Sequence, residues 1–352
     1  MIEVGLIGFG LAGKAFHAPV IRATPGLHLT AILQRSGNEA AEEYPDVRIV
    51  RSVDELLAIP EIRLIVIATP NDSHHPLARQ CLAAGRDVVV DKPFTTTLDE
   101  ALDLVESARQ SGRLLTVYQN RRYDGDFQAL RQLVESGALG RIVCFETHYD
   151  RYRPNLKPGA WRERPEPGSG ILFDIAPHLI DYALALFGLP EAVTADVRIE
   201  REHASVDDAF DIALYYPKGL RAILRSSILA AAPRPRFVVL ATAGSYFKQT
   251  VDPQEANLRR GIVPSSGAWG AEPEKDWGLL TLADGAEFKQ KRIPNADTDF
   301  RNYYANVRDA LLGKASLVVT PEWALNVMRI LELARESSER RCTVAWKAST
   351  RE

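Results

Sequence analysis

The chain has 352 residues, a length that favours two domains over one. With 43 basic and 46 acidic residues its formal net charge is −3, so no positive excess points to nucleic acid or an anionic membrane, and a small-molecule partner is expected. The opening residues lack the pattern of a signal peptide and no apolar run reaches membrane-spanning length, so we expect a cytoplasmic protein.

The first third of the chain alternates short apolar strands with helical segments. Continuous apolar runs predict strands that are buried on both faces, over residues 3–7, 29–33, 47–50, 64–68, 87–90 and 114–117. Helices are predicted over 14–23, 39–44, 53–57 and 75–84. This alternation is typical of a doubly wound parallel sheet in an α/β fold.

Beyond Asn120 the strands become longer and alternate apolar with polar residues. A helix over 127–136 precedes strands over 206–216 and 221–228, which the Pro-Lys-Gly segment at 217–219 joins as an antiparallel pair. A late helix over 321–337 follows Thr320 as its N-cap. We predict two domains, residues 1–121 with the parallel sheet and residues 122–352 with an α+β arrangement around an open, mainly antiparallel sheet.

A glycine-rich turn joins the first strand to the first helix. It consists of Gly8, Phe9, Gly10, Leu11, Ala12 and Gly13. In this position, Gly-x-Gly-x-x-Gly brings backbone N–H groups and a helix N-terminus to the pyrophosphate of a dinucleotide. The alternative is a purely structural turn. The motif therefore predicts a dinucleotide-binding Rossmann domain.

The end of the second predicted strand bears on the choice of dinucleotide. An NAD site usually has Asp or Glu there, whereas this chain has Arg35 and Ser36. A guanidinium and a hydroxyl suit the 2′-phosphate of NADP through charge-assisted hydrogen bonds. NADP is the predicted cofactor, NAD stays possible, and a solvated surface cation is the alternative for Arg35.

Lys92 follows the fifth predicted strand, at the edge where open α/β sheets bind ligands. Together with the glycine turn and the segment GILFDIAPH at 170–178, the Asp91-Lys92-Pro93 segment resembles the glucose–fructose oxidoreductase/inositol dehydrogenase/MocA (Gfo/Idh/MocA) family over essentially the whole chain. The stretches GFGLAGKAFHAP, YQNRRYDGDF, HYDRYRP and DIAPHLID are most similar to its NADP-dependent scyllo-inositol dehydrogenases.

The resemblance implies hydride exchange with a polyol, inositol or sugar. It also implies a Rossmann domain, a C-terminal α+β domain and a homo-oligomer, a dimer or tetramer, formed through the second sheet. The family's catalytic triad maps onto Lys92, Asp174 and His178. The chain departs from the family's Glu-Lys-Pro at Asp91, which shortens the carboxylate by one methylene. The cis or trans state of the Lys92–Pro93 bond stays open.

The residue types at the triad positions suit oxidation of an alcohol. Asp174 and His178 are four residues apart and would share one helix face, although Pro177 favours a helix that begins near it. His178 has the ordinary pKa of a general base at neutral pH, and Lys92 would donate to the substrate oxygen or share the proton transfer. Asp174 would orient a hydroxyl or the imidazole. A satisfied core histidine and a surface lysine are the alternatives.

Further residues are expected at the ligand by position and resemblance. The predicted cofactor contacts beyond the turn are Thr69, Pro70, Asn71, His74, Lys92, Asn120 and Arg121. The predicted substrate contacts are Lys92, Tyr149, Arg153, Trp161, Asp174 and His178. Rings and guanidinium groups suit polyhydroxyl ligands, and a structural or interface role is the alternative for Tyr149, Arg153 and Trp161.

No metal site is expected, because no cluster of His, Cys and carboxylate residues has ligand spacing and three scattered cysteines read as free thiols. Two rival functions share the predicted fold. One is a glycosidase that uses nicotinamide without net turnover, and the other is a non-catalytic cofactor-binding regulator. The acid–base residues favour an enzyme, while the substrate's identity stays open.

Overall fold

A computed structural model describes residues 1–157, 163–264 and 269–347. The chain divides into two compact units, each assembled from three separate stretches. The first unit comprises Met1–Asp124, Pro253–Gly270 and Thr298–Leu325. The second comprises Gly125–Asp252, Ala271–Asp297 and Asn326–Glu352. Late parts of the chain therefore complete the first unit.

The first unit is built on a six-stranded parallel sheet in the order β3-β2-β1-β4-β5-β6. Its strands are β1 (Ile2–Ile7), β2 (Leu27–Leu33), β3 (Arg48–Val50), β4 (Ile62–Ile67), β5 (Asp87–Val90) and β6 (Leu115–Val117). This is the strand order of the dinucleotide-binding doubly wound fold. It confirms the predicted fold class for the N-terminal part of the chain.

Some helices of the first unit connect its strands, and the others come from its two later stretches, residues 253–270 and 298–325. The first is wound as a π turn (Ala12–His17) that runs into α1 (Ala18–Ala23). The others are α2 (Glu39–Glu43), α3 (Val53–Leu57), α4 (His74–Ala83), α5 (Leu98–Ser111), α8 (Gln254–Arg259), α9 (Arg301–Leu311) and the start of α10 (Pro321–Arg340). Trp323 N–H donates to Thr320 Oγ1 at 3.2 Å, which confirms the predicted cap of α10.

Helix α5 lies in a stretch for which no element was predicted. Its signals are nevertheless present in the sequence: Thr97 and Glu100 form a capping box, and Gly112 ends the helix in the left-handed region with φ of 62°. The capping residues, rather than apolar periodicity alone, identify this helix.

The second unit contains a nine-stranded sheet in the order β14-β13-β12-β11-β7-β10-β9-β8-β15. Its strands are β7 (Ile142–His148), β8 (Ala192–Arg198), β9 (Ala209–Tyr215), β10 (Arg221–Ser227), β11 (Phe237–Ala241), β12 (Gly244–Lys248), β13 (Gly278–Asp284), β14 (Glu287–Ile293) and β15 (Val344–Ala345). Among the strands that the structure describes, only β7 and β10 pair in parallel in this sheet, so the predicted mainly antiparallel sheet is confirmed. Strands β9 and β10 form the predicted pair around residues 217–219.

Helices α6 (Gly125–Glu135) and α7 (Gly170–Phe187) belong to the second unit, and α7 packs on β9 and β10. Among the described residues, α7 is the one helix whose length and hydropathy would suit a membrane span, and 78% of it is buried within the fold. Its apolar character is that of a core helix.

Candidate active site

The glycine turn after β1 has two positions at which a side chain would collide with the backbone. Gly8 has φ of 98°, and a Cβ on it would lie 2.5 Å from the carbonyl oxygen of Ala68. A Cβ on Gly13 would collide with the carbonyl of Gly8, whereas Gly10 has no other atom within 4 Å of its Cβ position. Two glycines therefore close the turn, and the third leaves an open face on which a ligand fits.

The other residues of the turn lie around this face. Phe9 packs edge-on against Tyr44 with a ring separation of 5.9 Å, and Leu11 is exposed. The helix that follows starts at Ala12 as a π turn. Such turns recur at functional sites, and this one ends at His17, whose ring is completely buried.

The predicted 2′-phosphate residues lie just beyond β2. Arg35 and Ser36 are both exposed. Arg51, which follows β3, donates to the carbonyls of Gln34 and Gly37 at 2.8 Å each and so holds the same loop. Sequence reasoning missed Arg51, although its place directly after the neighbouring parallel strand was a signal.

The loop after β4 is tied to the Lys92 turn by a buried histidine. Ser73 Oγ lies 2.7 Å from Thr69 Oγ1, and Asn71, the residue after Pro70, is buried. His74 Nε2 lies 3.0 Å from the carbonyl of Thr69, and its Nδ1 lies 2.8 Å from the carbonyl of Pro93. Both nitrogens of His74 face backbone carbonyls, so the ring joins the two loops, and its contact with a cofactor stays a prediction.

The Asp91-Lys92-Pro93 turn leaves β5 with a cis Lys92–Pro93 bond. The Lys92 N–H donates to Asp91 Oδ1 at 2.8 Å, and the lysine side chain is half-buried. Burial by itself would raise the pKa of Asp91, but His17, Lys92 and His74 outweigh it and lower that pKa below its usual range. An anionic carboxylate therefore lies directly beside the predicted catalytic lysine.

Asn120 and Arg121 follow β6 in a short 3-10 turn. Asn120 is half-buried, whereas Arg121 is only 5% exposed. The Arg121 guanidinium is 3.4 Å from Asp124 Oδ2 and forms an ion pair with Glu255 of α8. The ion pair with Glu255 was not predicted, because Glu255 is far from Arg121 in sequence.

Asp174 and His178 lie on one uninterrupted helix in the second unit. Helix α7 begins at Gly170, so the expectation of a helix start near Pro177 is wrong, and the proline lies inside the helix. The carboxylate of Asp207, bonded by the Leu172 N–H at 2.7 Å, supplies the cap that fixes the earlier start. Four-residue spacing on a continuous helix places Asp174 and His178 on the same face.

The partner of Asp174 is an arginine that the sequence analysis did not select. Arg151 Nη1 lies 3.1 Å from Asp174 Oδ2, and each side chain is 19% exposed. Its guanidinium also lies 5.1 Å from the ring centre of Tyr149. His178, by contrast, is only 5% exposed.

The other predicted substrate residues have different surroundings. The ring of Tyr149 has Arg151 and Arg236 within cation–π distance, at 5.1 and 5.2 Å, so it serves at least as a packing surface. Arg153 is exposed, and its N–H donates to the carbonyl of Ile228 at 2.7 Å. Trp161 lies outside the described residues. Within the described ranges no group of three or more His, Cys, Asp or Glu residues could hold a metal.

Fold and motif together define a dinucleotide-dependent oxidoreductase class, and comparisons with known proteins agree. Residues 2–119 match the family model described as the oxidoreductase family, NAD-binding Rossmann fold. Residues 127–247 match the GFO/IDH/MocA C-terminal domain. The chain belongs to the Gfo/Idh/MocA family of NAD(P)-binding oxidoreductases, which confirms the resemblance inferred from the motifs.

Three relatives show how far the similarity extends. The uncharacterized oxidoreductase YdgJ of Escherichia coli is 43% identical over 97% of this chain and 98% of its own length. The scyllo-inositol 2-dehydrogenase (NADP(+)) IolW of Bacillus subtilis is 36% identical over 97% and 95%. The crystal structure of an oxidoreductase from Bacillus cereus is 32% identical, covers 99% of both chains and has a TM-score of 0.91.

Proposed function

We propose that this protein is an NADP-preferring oxidoreductase that transfers a hydride between the nicotinamide and a secondary alcohol or carbonyl of a polyol, inositol or sugar. The observation that carries the proposal is the Lys92 turn. It lies at the carboxyl end of a strand in the dinucleotide-binding sheet, with its lysine side chain half-buried beside an anionic Asp91. The name of the IolW relative supports the substrate class and the cofactor.

The residues that would hold the cofactor are those of the glycine turn, the loop after β2 and the loop after β4. Backbone N–H groups around Gly10 suit the pyrophosphate, and Arg35 and Ser36 suit a 2′-phosphate. Arg51 supports that assignment, because it fixes the loop that carries Arg35. Thr69 and Asn71 are proposed toward the nicotinamide side. The bound group would accept or supply the hydride.

The proton chemistry is assigned to the chain's own side chains. In alcohol oxidation, His178 would remove the hydroxyl proton, and Lys92 would donate a hydrogen bond to the same oxygen. Asp174, fixed by Arg151 at 3.1 Å, would orient a neighbouring hydroxyl. In the reverse direction the protonated imidazole would return that proton to the carbonyl oxygen.

A substrate panel tests this function. The purified protein is given inositols, aldoses, keto-sugars and glycosides with NADP or NAD, in both reaction directions, and nicotinamide absorbance is followed. We expect turnover with at least one polyol or sugar and a lower Michaelis constant for NADP. An equal or lower value for NAD would contradict the NADP preference. Retained dinucleotide with glycoside cleavage and no net absorbance change would favour the glycosidase, and ligand binding without any chemistry would favour the regulator.

The assembly and location are proposed on separate observations. Leu240 of β11 and Phe247 of β12 lie on the same face of the second sheet and are 44% and 42% exposed. Such a face suits self-association, so we expect a dimer or tetramer by light scattering after size exclusion. Cys81, Cys144 and Cys342 are all free, which suits a reducing, cytoplasmic location.

A further inference from the structure

Behind the Lys92 turn, three side chains from distant parts of the sequence form a buried polar line. Tyr304 of α9 has its hydroxyl 2.6 Å from His17 Nδ1. His17 Nε2, at the other side of the ring, lies 3.6 Å from Asp91 Oδ2. His17 and Tyr304 are completely buried, and the Asp91 side chain is 15% exposed. The second carboxylate oxygen, Oδ1, accepts the Lys92 N–H.

The charge of Asp91 and the hydroxyl of Tyr304 together set the direction of this line. The Asp91 carboxylate faces Nε2 of His17 and favours the tautomer with the ring proton on that nitrogen. Burial raises the pKa of Tyr304 well above its usual value, so its phenol keeps its proton and can donate to Nδ1 at 2.6 Å. This tautomer presents an N–H to the carboxylate.

The side chains around His17 and Asp91 restrict the orientation of the imidazole and the charges near the carboxylate. Tyr118 packs its ring 4.2 Å from that of His17, which fixes the plane of the imidazole. The titratable groups whose charge acts on Asp91 or responds to it are His17, His74, Lys92, Tyr118, Tyr303 and Tyr304. The tyrosines keep their protons, so Asp91 is the anion among these groups.

We propose that Tyr304 and His17 are positioning residues for Lys92, because they hold the Asp91 carboxylate, whose negative charge lies beside the lysine and whose Oδ1 accepts the Lys92 N–H. Neither residue needs to contact substrate or cofactor. The inference deepens the proposed function, since its effect on turnover depends on the acid–base role of Lys92. Its direct test is independent of that role.

The direct test measures how strongly Lys92 holds its proton. Only the uncharged amine reacts with acetic anhydride, so trace acetylation of the full-length protein over a pH series, read by peptide mass spectrometry, gives the midpoint for Lys92. Lys218, which is exposed, serves as the internal reference. We expect Asp91→Asn to lower the Lys92 midpoint by about 1, because an opposite charge is removed without a change of shape.

Variants of Tyr304 and His17 test whether these two residues act on Lys92 through Asp91. Tyr304→Phe and His17→Leu are expected to lower the Lys92 midpoint by a smaller amount in the same direction. His17→Gln should retain the wild-type midpoint, since its amide can accept from Tyr304 and donate to Asp91. Tyr304→Phe in the Asp91→Asn background should add no further change, because both act through the same carboxylate.

Tyr303→Phe is the matched control. Tyr303 is the next residue on α9, is equally buried and packs on the same Tyr118 ring, but its hydroxyl contacts Thr116 at 3.3 Å. We expect it to lower the melting temperature about as much as Tyr304→Phe while leaving the Lys92 midpoint unchanged. Equal midpoints in the two phenylalanine variants, or no change in Asp91→Asn, would overturn the inference.

Turnover supplies a second readout once a substrate is known. Tyr304→Phe should then lower kcat severalfold with KM little changed, and Tyr303→Phe should not. If the panel yields no substrate, the proposed function fails while the labelling result stands on its own. If turnover is found but the midpoints do not move, the function stands and the positioning role fails.

Discussion

The Lys92 turn and helix α7 hold their proposed catalytic side chains by different means. At the turn, side chains from three distant stretches converge: His17, His74 and Tyr304. On α7, Asp174 and His178 are placed by the regular backbone of one helix, with Arg151 and Asp207 as supports. Buried polar contacts cost more to break than half-exposed ones, so changes behind Lys92 should affect proton affinity and stability together. Substitutions around α7 should affect only the side chains next to the substituted residue.

The largest expected effect comes from removing the lysine without disturbing its supports. Lys92→Met should lower turnover by about 10²–10⁴-fold, the range for loss of an acid–base group. The substitution changes only the side chain and leaves the backbone contacts of the turn with Asp91 and His74 intact, so the melting temperature should stay near wild type. Steady-state kinetics and thermal unfolding check the two parts. Turnover within tenfold of wild type would remove Lys92 from the mechanism.

On the helical side, His178→Gln tests which group removes the proton. A histidine base works when neutral, so kcat/KM for alcohol oxidation should rise with pH through the histidine pKa in the wild type. In the variant we expect turnover to fall by about 10²-fold and this rise to disappear. Profiles of kcat/KM against pH for the wild type and the variant measure both effects. A rise that persists at the same midpoint would assign the base to another group, with Lys92 the first candidate.

The same contrast explains what sequence could predict. Alternating apolar segments predicted the parallel sheet, and the spacing of Asp174 and His178 predicted that they share a helix face, because both patterns are local. Helix α7 starts earlier than Pro177 indicates, because the Leu172 N–H near its start is bonded by Asp207, which lies far along the chain. Local periodicity carries no information on such contacts.

The Lys92 turn shows most clearly what could not be predicted from the sequence. The position of Lys92 after β5 was readable, yet its supports were not, because His17, His74 and Tyr304 meet only after the chain has folded. The ring nitrogens of His74 face two backbone carbonyls from separate loops, which no local sequence pattern indicates. Helix α5, with its Thr97 and Glu100 box, was missed despite a local signal.

A smaller effect is expected from the ion pair beside Asp174. Arg151→Met removes its partner at 3.1 Å, and a partly exposed pair of this kind contributes up to about 1 kcal/mol, or about fivefold in kcat/KM. We expect the loss mainly in KM, with the melting temperature unchanged. Arg164→Met is the control, because Arg164 also pairs with a carboxylate, Glu166 at 3.9 Å, but is more exposed. Equal kinetics for the two variants would contradict a role for Arg151 in orienting Asp174.

The smallest effect, on stability alone, is expected at the cap of α7. Burial raises the pKa of Asp207, so between the ordinary carboxyl pKa and this raised one the folded chain holds a proton that the unfolded chain releases. Ionisation at neutral pH therefore destabilises the fold, even though the carboxylate accepts the Leu172 N–H.

Asp207→Asn keeps an acceptor oxygen and removes the charge, so its melting temperature should equal or slightly exceed that of wild type at neutral pH. The difference should vanish in acid, where the wild-type carboxyl is protonated in both states. Asp207→Ala, which loses the acceptor, should cost about 1 kcal/mol. A loss in Asp207→Asn as large as in Asp207→Ala would mean that the charge itself holds the helix start. Helix α7 would then depend on buried electrostatics as the Lys92 turn does, and the contrast between the two regions would fail.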